Sequence, residues 1–258
     1  MTETELLFTR VLGCDRMALY LNKDRRLNRD EVNFISSALK RRIKSEPIQY
    51  ILGKTEFMGL EFKVNEAVLI PRPETEILVA TAIEYAKREK FGRILDLGTG
   101  SGCIAVSLAK YSTDLEIDAS DISGRALETA GENASAHGVG INLIRSDLFS
   151  ALGYKEYAMI VSNPPYIMSA EIGKLQPELN YEPALALDGG ADGLDFYRRI
   201  IREAPDYLKN GGWLLLEIGF GQKPGIEKIF LGSGRLEIAG IIKDYNNLDR
   251  VVAARKAD

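Results

Sequence analysis

Hydrophobic spacing divides the chain into stretches of different period. Near the N-terminus Leu6, Leu7, Val11 and Leu12, and then Val32, Ile35, Leu39 and Ile43, recur at helical intervals and predict two helices. The second has a readable start. The Asn28 side chain can accept from first-turn N–H groups while Glu31 reaches back, as in a capping box, and Pro47 closes the helix. From Tyr50 the period falls to two: Leu60, Phe62 and Val64 alternate with Glu61 and Lys63, and Gly59 supplies a turn after Phe57. This predicts a β-hairpin joining two domains. Pro71 and Pro73 then stiffen a loop before a helix with Glu74 and Glu76 in its first turn and Lys87, Arg88 and Lys90 in its last, the order a helix dipole favours.

After Gly92 strand and helix patterns alternate. Strands are expected at 93–97, 115–121, 141–147, 158–162 and 213–218, with helices between them such as 196–208, and the tail over 235–255 reads as a hairpin around Asn246 and Asn247. Such alternation predicts an α/β domain with a mostly parallel sheet and helices on both faces. The expected division is 1–70, a helical domain with its connecting hairpin, and 71–258, the larger α/β domain.

With 258 residues, 45% of them hydrophobic, the chain can bury a core for one large α/β domain plus a small accessory one. It contains no apolar run of about eighteen residues, and Glu3 and Glu5 stand where a secretory signal would need basic and then apolar residues, so a cytoplasmic protein is expected. Two cysteines, Cys14 and Cys103, and a single histidine support neither a disulfide framework nor a zinc site, and no metal is expected. A net charge of −4 gives no global attraction to nucleic acid. Lys40, Arg41, Arg42 and Lys44 form a local basic cluster, read here as a solvated helix face and alternatively as a nucleic-acid patch. His137, before Gly138, is read as a helix-end residue, Cys103 as packing, and Trp213 as core.

Candidate chemistry gathers at predicted strand ends. The strand Ile94-Leu95-Asp96-Leu97 runs into Gly98-Thr99-Gly100-Ser101-Gly102 and then into an apolar helix. Glycines there let the backbone turn sharply and a ligand come close. Cys103 stands where a dinucleotide fingerprint needs its third glycine or an alanine, which weakens a nicotinamide reading. Asp121, at the end of the next strand, could accept both hydroxyls of a ribose, and Asp147 with Leu148 could hold an adenine ring. The plainer alternative is that the two aspartates cap helices.

At the end of the fourth strand stands Asn163-Pro164-Pro165-Tyr166. An amide nitrogen is a poor nucleophile because its lone pair is delocalised into the carbonyl. Two fixed acceptors, the Asn163 side-chain oxygen and the Pro164 carbonyl, could hold both N–H bonds and aim the lone pair. Pro165 restricts Pro164 to an extended conformation, and Tyr166 offers a flat face for a planar group. The alternative is a stiff turn without chemistry.

These motifs resemble the HemK/PrmC release-factor glutamine N5-methyltransferases. The resemblance runs through Tyr50-Ile51-Leu52-Gly53, Leu69-Ile70-Pro71-Arg72-Pro73-Glu74-Thr75-Glu76, the segments 96–109 and 162–167, Glu182-Pro183, Gly189-Gly190, Asp192-Gly193-Leu194 and Leu216-Glu217-Ile218-Gly219. It implies a class I S-adenosyl-L-methionine-dependent fold, a seven-stranded sheet behind a small helical domain that helps grip the partner. It further implies methylation of the glutamine in the Gly-Gly-Gln loop of class 1 peptide chain release factors by a monomer. The cofactor residues it implies are Gly98, Thr99, Gly100, Ser101, Gly102, Asp121, Asp147, Leu148 and Asn163. Asn163, Pro164, Pro165 and Tyr166 would hold the glutamine, with Arg72 in a loop that covers the site. Some members carry an aromatic residue where this chain has Leu148. Two other readings use the same residues: a methyltransferase for the adenine N6 amine of DNA or RNA, and a cofactor-binding scaffold without turnover.

Overall fold

The strand and helix patterns after residue 92 resolve into one seven-stranded sheet sandwiched between helices. The structure, a computed structural model, describes residues 1–89, 92–112, 114–153 and 156–257. In chain order the strands are β1 Lys54–Phe57, β2 Leu60–Lys63, β3 Arg93–Leu97, β4 Glu116–Asp121, β5 Asn142–Arg145, β6 Tyr157–Ser162, β7 Leu208–Glu217, β8 Leu236–Lys243 and β9 Asp249–Lys256. The helices are α1 Glu3–Leu12, α2 Arg16–Leu21, α3 Arg29–Arg42, α4 Ile48–Leu52, α5 Thr75–Glu89, α6 Cys103–Tyr111, α7 Gly124–His137, α8 Ser169–Ile172, α9 Asp195–Glu203 and α10 Lys223–Ser233.

The large sheet has the order β5-β4-β3-β6-β7-β9-β8. Strands β5 to β7 pair in parallel, and β9 is antiparallel to both of its neighbours. From β3 the chain moves outward to β5, then returns to the other side of β3 to form β6. The crevice at the carboxyl ends of β3 and β6 is therefore the topological switch point, where open α/β sheets bind ligands. Strand β6 is buried at every position, which is why it reads as a continuous apolar run. Adjacent residues of β3 serve opposite faces. Ile94 packs with Leu78 and Val79 of α5 and Leu108 of α6, and Leu95 packs with Tyr197 and Ile200 of α9 and Phe230 of α10.

The hairpin forms as the alternation predicts, with Phe57 opposite Leu60 and a two-residue turn at Met58 and Gly59, both at positive φ (53° and 71°). It does more than connect. Phe57 and Phe62 are buried against α5 and α6, and Asn133 of α7 binds the Lys63 backbone from both sides, at 2.7 and 3.0 Å. The same Asn133 amide donates to the Ser101 carbonyl at 2.8 Å, coupling the hairpin to the glycine loop.

The predicted capping box at Asn28 and Glu31 is present, with bonds of 2.9 and 2.8 Å. The rest of the N-terminal reading needs correction. Helix α3 ends at Arg42, before Pro47, and only Ile35 and Ala38 are buried on it; Val32, Leu39 and Ile43 are exposed. Tyr50 lies in the short helix α4, ended by Gly53 at φ 72°, so the period-two stretch begins only at Lys54. Helix α2, capped by Asp15, is too short to leave a periodic trace. Within the basic cluster Arg41 pairs with Glu46, and Arg42 with Glu3 and Glu178. Strand β5 stops at Arg145, so Asp147 lies in the loop beyond it, and α9 stops at Glu203 because Pro205 supplies no N–H. Helix α5 has Lys87 and Arg88 in its last turn; Lys90 falls outside the described residues. His137 closes α7 with Gly138 at φ 64°, and Cys103 and Trp213 are buried. No helix among the described residues is long and apolar enough to cross a membrane.

Phe62 is fully buried where the hairpin meets the main core. Phe62→Ala should lower the unfolding free energy by about 3–5 kcal/mol, read from urea melts.

Candidate active site

A cavity of about 380 Å³ opens at the switch point, within the range of small-molecule sites. Its floor is the glycine loop. Gly98 and Gly100 take φ of 78° and 55°, and nothing lies within 4 Å of where their Cβ atoms would stand, so a ligand can approach the backbone there. Gly102 works differently and does not line the cavity. At φ 80° its missing Cβ would meet the Ala130 Cβ at 2.9 Å, so this glycine lets α6 and α7 pack closely.

The loop is braced from below and from the side. Asp96, fully buried, accepts from the Thr99 hydroxyl at 2.5 Å and from the Ala105 N–H at 3.1 Å. Burial pushes its carboxyl up to about 7 against those two bonds, and its Oδ1 has no hydrogen-bond partner among the described residues. Asp121 accepts from the Gly100 N–H and the Ser123 N–H, each at 2.9 Å, so it ties the loop to the start of α7 while lining the cavity. Burial raises its pKa, and the backbone bonds oppose the rise. Further round the wall, Asp147 pairs with Arg199 at 2.9 Å, and Leu148 stands beside it at φ 49°. The open glycines, a carboxylate at each of two strand ends and this apolar corner are a donor set that fits an adenosyl group.

Across the crevice, β6 delivers Asn163, Pro164 and Pro165 to the opposite wall. The Asn163 Nδ2 donates to Thr75 Oγ1 at 3.0 Å, and that hydroxyl donates to Glu217 Oε2 at 2.7 Å. Thr75 opens α5 and Glu217 ends β7, so three elements meet at one hydroxyl. Among the described residues no donor occupies Asn163 Oδ1 or the Pro164 carbonyl. Glu217 is fully buried and pushed up to about 7, chiefly by burial, with Oε1 unpartnered among the described residues.

Tyr166 is the expected site residue that does not line the cavity. Its ring lies over Gly219, where a Cβ would come within 2.9 Å of Cδ2, and burial pushes its phenol up to about 12. The backbone that follows is wrapped just as tightly. A Cβ on Gly189 would stand 2.7 Å from the Tyr166 Cα, and Gly193 backs on to the Tyr166 carbonyl. Arg72 lines the cavity and binds Glu182, whose other oxygen accepts from the Ile70 N–H at 3.1 Å. Thr75 and Glu217 were absent from the sequence-based site; both stand inside motifs that carried the resemblance, which is the signal that could have found them.

A seven-stranded sheet of this order, with a glycine loop after β3 and Asn-Pro-Pro-Tyr after β6, defines a class I methyltransferase. A ribosomal protein L11 methylase from Lactobacillus delbrueckii subsp. bulgaricus shares the fold at a TM-score of 0.56, with 21% identity, over 76% of this chain and 84% of that one. Residues 1–53 match the PrmC N-terminal domain and residues 74–176 the Methyltransferase small domain. The release factor glutamine methyltransferase of Geobacter sulfurreducens is 46% identical over 98% of this chain and 88% of its own length. That of Thermodesulfovibrio yellowstonii is 41% identical over 99% and 92%. The chain belongs to the release factor glutamine methyltransferase family.

The two buried carboxyls set a pH dependence of stability. Between the unfolded values of 3.8 and 4.5 and the folded values of about 7, the native state keeps protons at Asp96 and Glu217 that the unfolded chain has released. Their contribution is therefore complete below that window and is lost as pH rises through about 7. Unfolding free energy from urea titrations should decline from pH 5 to 8, and Asp96→Asn should flatten part of the decline. An unaltered slope in that variant would mean Asp96 is ionised throughout.

Proposed function

We propose that this chain transfers a methyl group from S-adenosyl-L-methionine to the side-chain amide nitrogen (N5) of the glutamine in the Gly-Gly-Gln loop of class 1 peptide chain release factors. The observation that carries the reading is the Asn163 carboxamide, anchored through its nitrogen at 3.0 Å with its oxygen left as a free acceptor beside the glycine loop. The bound cofactor supplies an electrophilic methyl on a sulfonium that becomes neutral on transfer, leaving S-adenosyl-L-homocysteine. Gly98, Thr99, Gly100, Ser101, Asp121, Asp147 and Leu148 line the half of the cavity that would hold it, with Gly102 shaping the loop from behind.

Asn163 Oδ1 and the Pro164 carbonyl accept the two N–H groups of the substrate amide. Held out of line with resonance, the nitrogen directs its lone pair at the methyl carbon. No strong base is needed before the bond forms, and the proton departs afterwards. Pro165 keeps Pro164 extended, and Tyr166, seated on Gly219, acts by fixing the backbone of the motif from beneath. Arg72, bound to Glu182, holds the covering loop. Residues 1–70 serve as the docking domain for the release factor and 71–258 as the catalytic domain of a cytoplasmic monomer.

The test is incubation with methyl-labelled S-adenosyl-L-methionine and, separately, a release factor, the same factor with its Gly-Gly-Gln glutamine substituted, and DNA. Label should enter only the unsubstituted release factor. Label in DNA alone would instead establish the adenine reading, and cofactor binding without any incorporation a scaffold. Asn163→Ala should lose about 3 kcal/mol of transition-state stabilisation, a fall in kcat of roughly two orders of magnitude.

A further inference from the structure

The Thr75 hydroxyl has one proton, and at 2.7 Å that proton is committed to Glu217 Oε2. Toward Asn163, 3.0 Å away, the same oxygen can therefore only accept, and the group that satisfies it is the amide nitrogen. Turning the carboxamide over would set its oxygen against an oxygen without a proton to share and would present N–H groups to an incoming amide that also carries N–H groups. We propose that Thr75 and Glu217 are positioning residues for methyl transfer, which through one shared hydroxyl fix the oxygen of Asn163 toward the substrate. This rests on the reading of Asn163 as the amide acceptor.

The neighbourhood makes that direction depend on the ionisation of Glu217. The carboxyl is faced by Thr75 and Glu74 at the start of α5, Asn163 and Tyr166 after β6, and Arg250 of β9; the Tyr197 hydroxyl of α9 donates to its backbone carbonyl at 2.8 Å. Burial raises its pKa most; the Thr75 bond and the Arg250 charge oppose the rise, and Glu74 adds to it. As a carboxylate, Glu217 draws the hydroxyl proton to itself. As a neutral acid it can donate to Oγ1 instead, which frees the threonine proton to turn toward Asn163 and reward the inverted amide. Activity governed by this chain falls as pH drops through the Glu217 titration.

Thr75→Val, Thr75→Ser, Glu217→Gln and Asn163→Ala test it. Kinetics toward a release factor would be followed from pH 6 to 8.5, S-adenosyl-L-homocysteine affinity by calorimetry, and the Asn163 side-chain amide by nitrogen NMR of the cofactor-free protein. Thr75→Val should lower kcat at least tenfold, with KM and product affinity within threefold of wild type, and Thr75→Ser should recover most of that loss. The acid limb of the kcat profile should vanish in Glu217→Gln, and the Asn163 resonance should titrate with the same midpoint in the wild type. Wild-type kcat in Thr75→Val alongside an impaired Asn163→Ala overturns this proposal alone. An unimpaired Asn163→Ala overturns the reading beneath it. Should Thr75→Val lose product binding through misfolding, the Glu217→Gln profile decides: an acid limb retained there overturns the proposal.

Discussion

A carboxamide at the end of a strand can offer a cavity either its oxygen or its nitrogen, and the bond from Asn163 Nδ2 to Thr75 Oγ1 decides which is offered here. The fold makes that bond through register. Ser162 of β6 lies opposite Leu216 of β7, so Asn163 and Glu217 leave two parallel strands side by side. Helix α5 packs on β7 and brings its first residue, Thr75, over the pair. None of the three side chains could be placed by its own element alone. Burial then sharpens the arrangement, since a hydrogen bond out of water is stronger and an inverted one more costly.

The rest of the site depends on the same edge of the sheet. Asp96 and Asp121 hold the glycine loop from two neighbouring strands, and Asn133 links that loop to the hairpin. Covering segments are fastened to both parts of the chain: Glu182 to Arg72 and Ile70, Glu178 to Arg42, and the Tyr181 hydroxyl to the Lys44 carbonyl at 2.8 Å. The surface members of that set are individually weak, at roughly 0–1 kcal/mol each. Their importance lies in joining α3 to the segment over the cavity.

Much of this was readable from the amino-acid order because local chemistry and tertiary role coincide there. The central strands are buried on both faces and announce themselves as apolar runs, and the loop from Gly98 to Gly102 sits between a strand and a helix in sequence as in space. The α3 cap and the β8–β9 turn, with Asn247 at φ 62°, follow from single side chains. What was hidden has common physical causes. Helices α2 and α4, of six and five residues, are shorter than the periodicity needed to detect them. Val32, Leu39 and Ile43 fit a helical stripe but project into solvent, because burial is settled by neighbours and not by spacing.

Site residues divide in the same way. Asn163, Pro164 and Asp121 carry their chemistry on their own atoms and were legible. Thr75 and Glu217 acquire a role only when residues 88 and 54 positions from Asn163 (163 minus 75, 217 minus 163) are brought together, which spacing along a chain cannot disclose. Tyr166 was legible as a flat ring, yet Gly219 beneath it turns that ring into a support for the motif. The most direct measurement of the central claim is a crystal structure of the protein with S-adenosyl-L-homocysteine and a Gly-Gly-Gln peptide. The account predicts the glutamine amide nitrogen within about 3 Å of both Asn163 Oδ1 and the Pro164 carbonyl. An Asn163 oxygen turned toward Thr75, with the glutamine bound elsewhere, would contradict it.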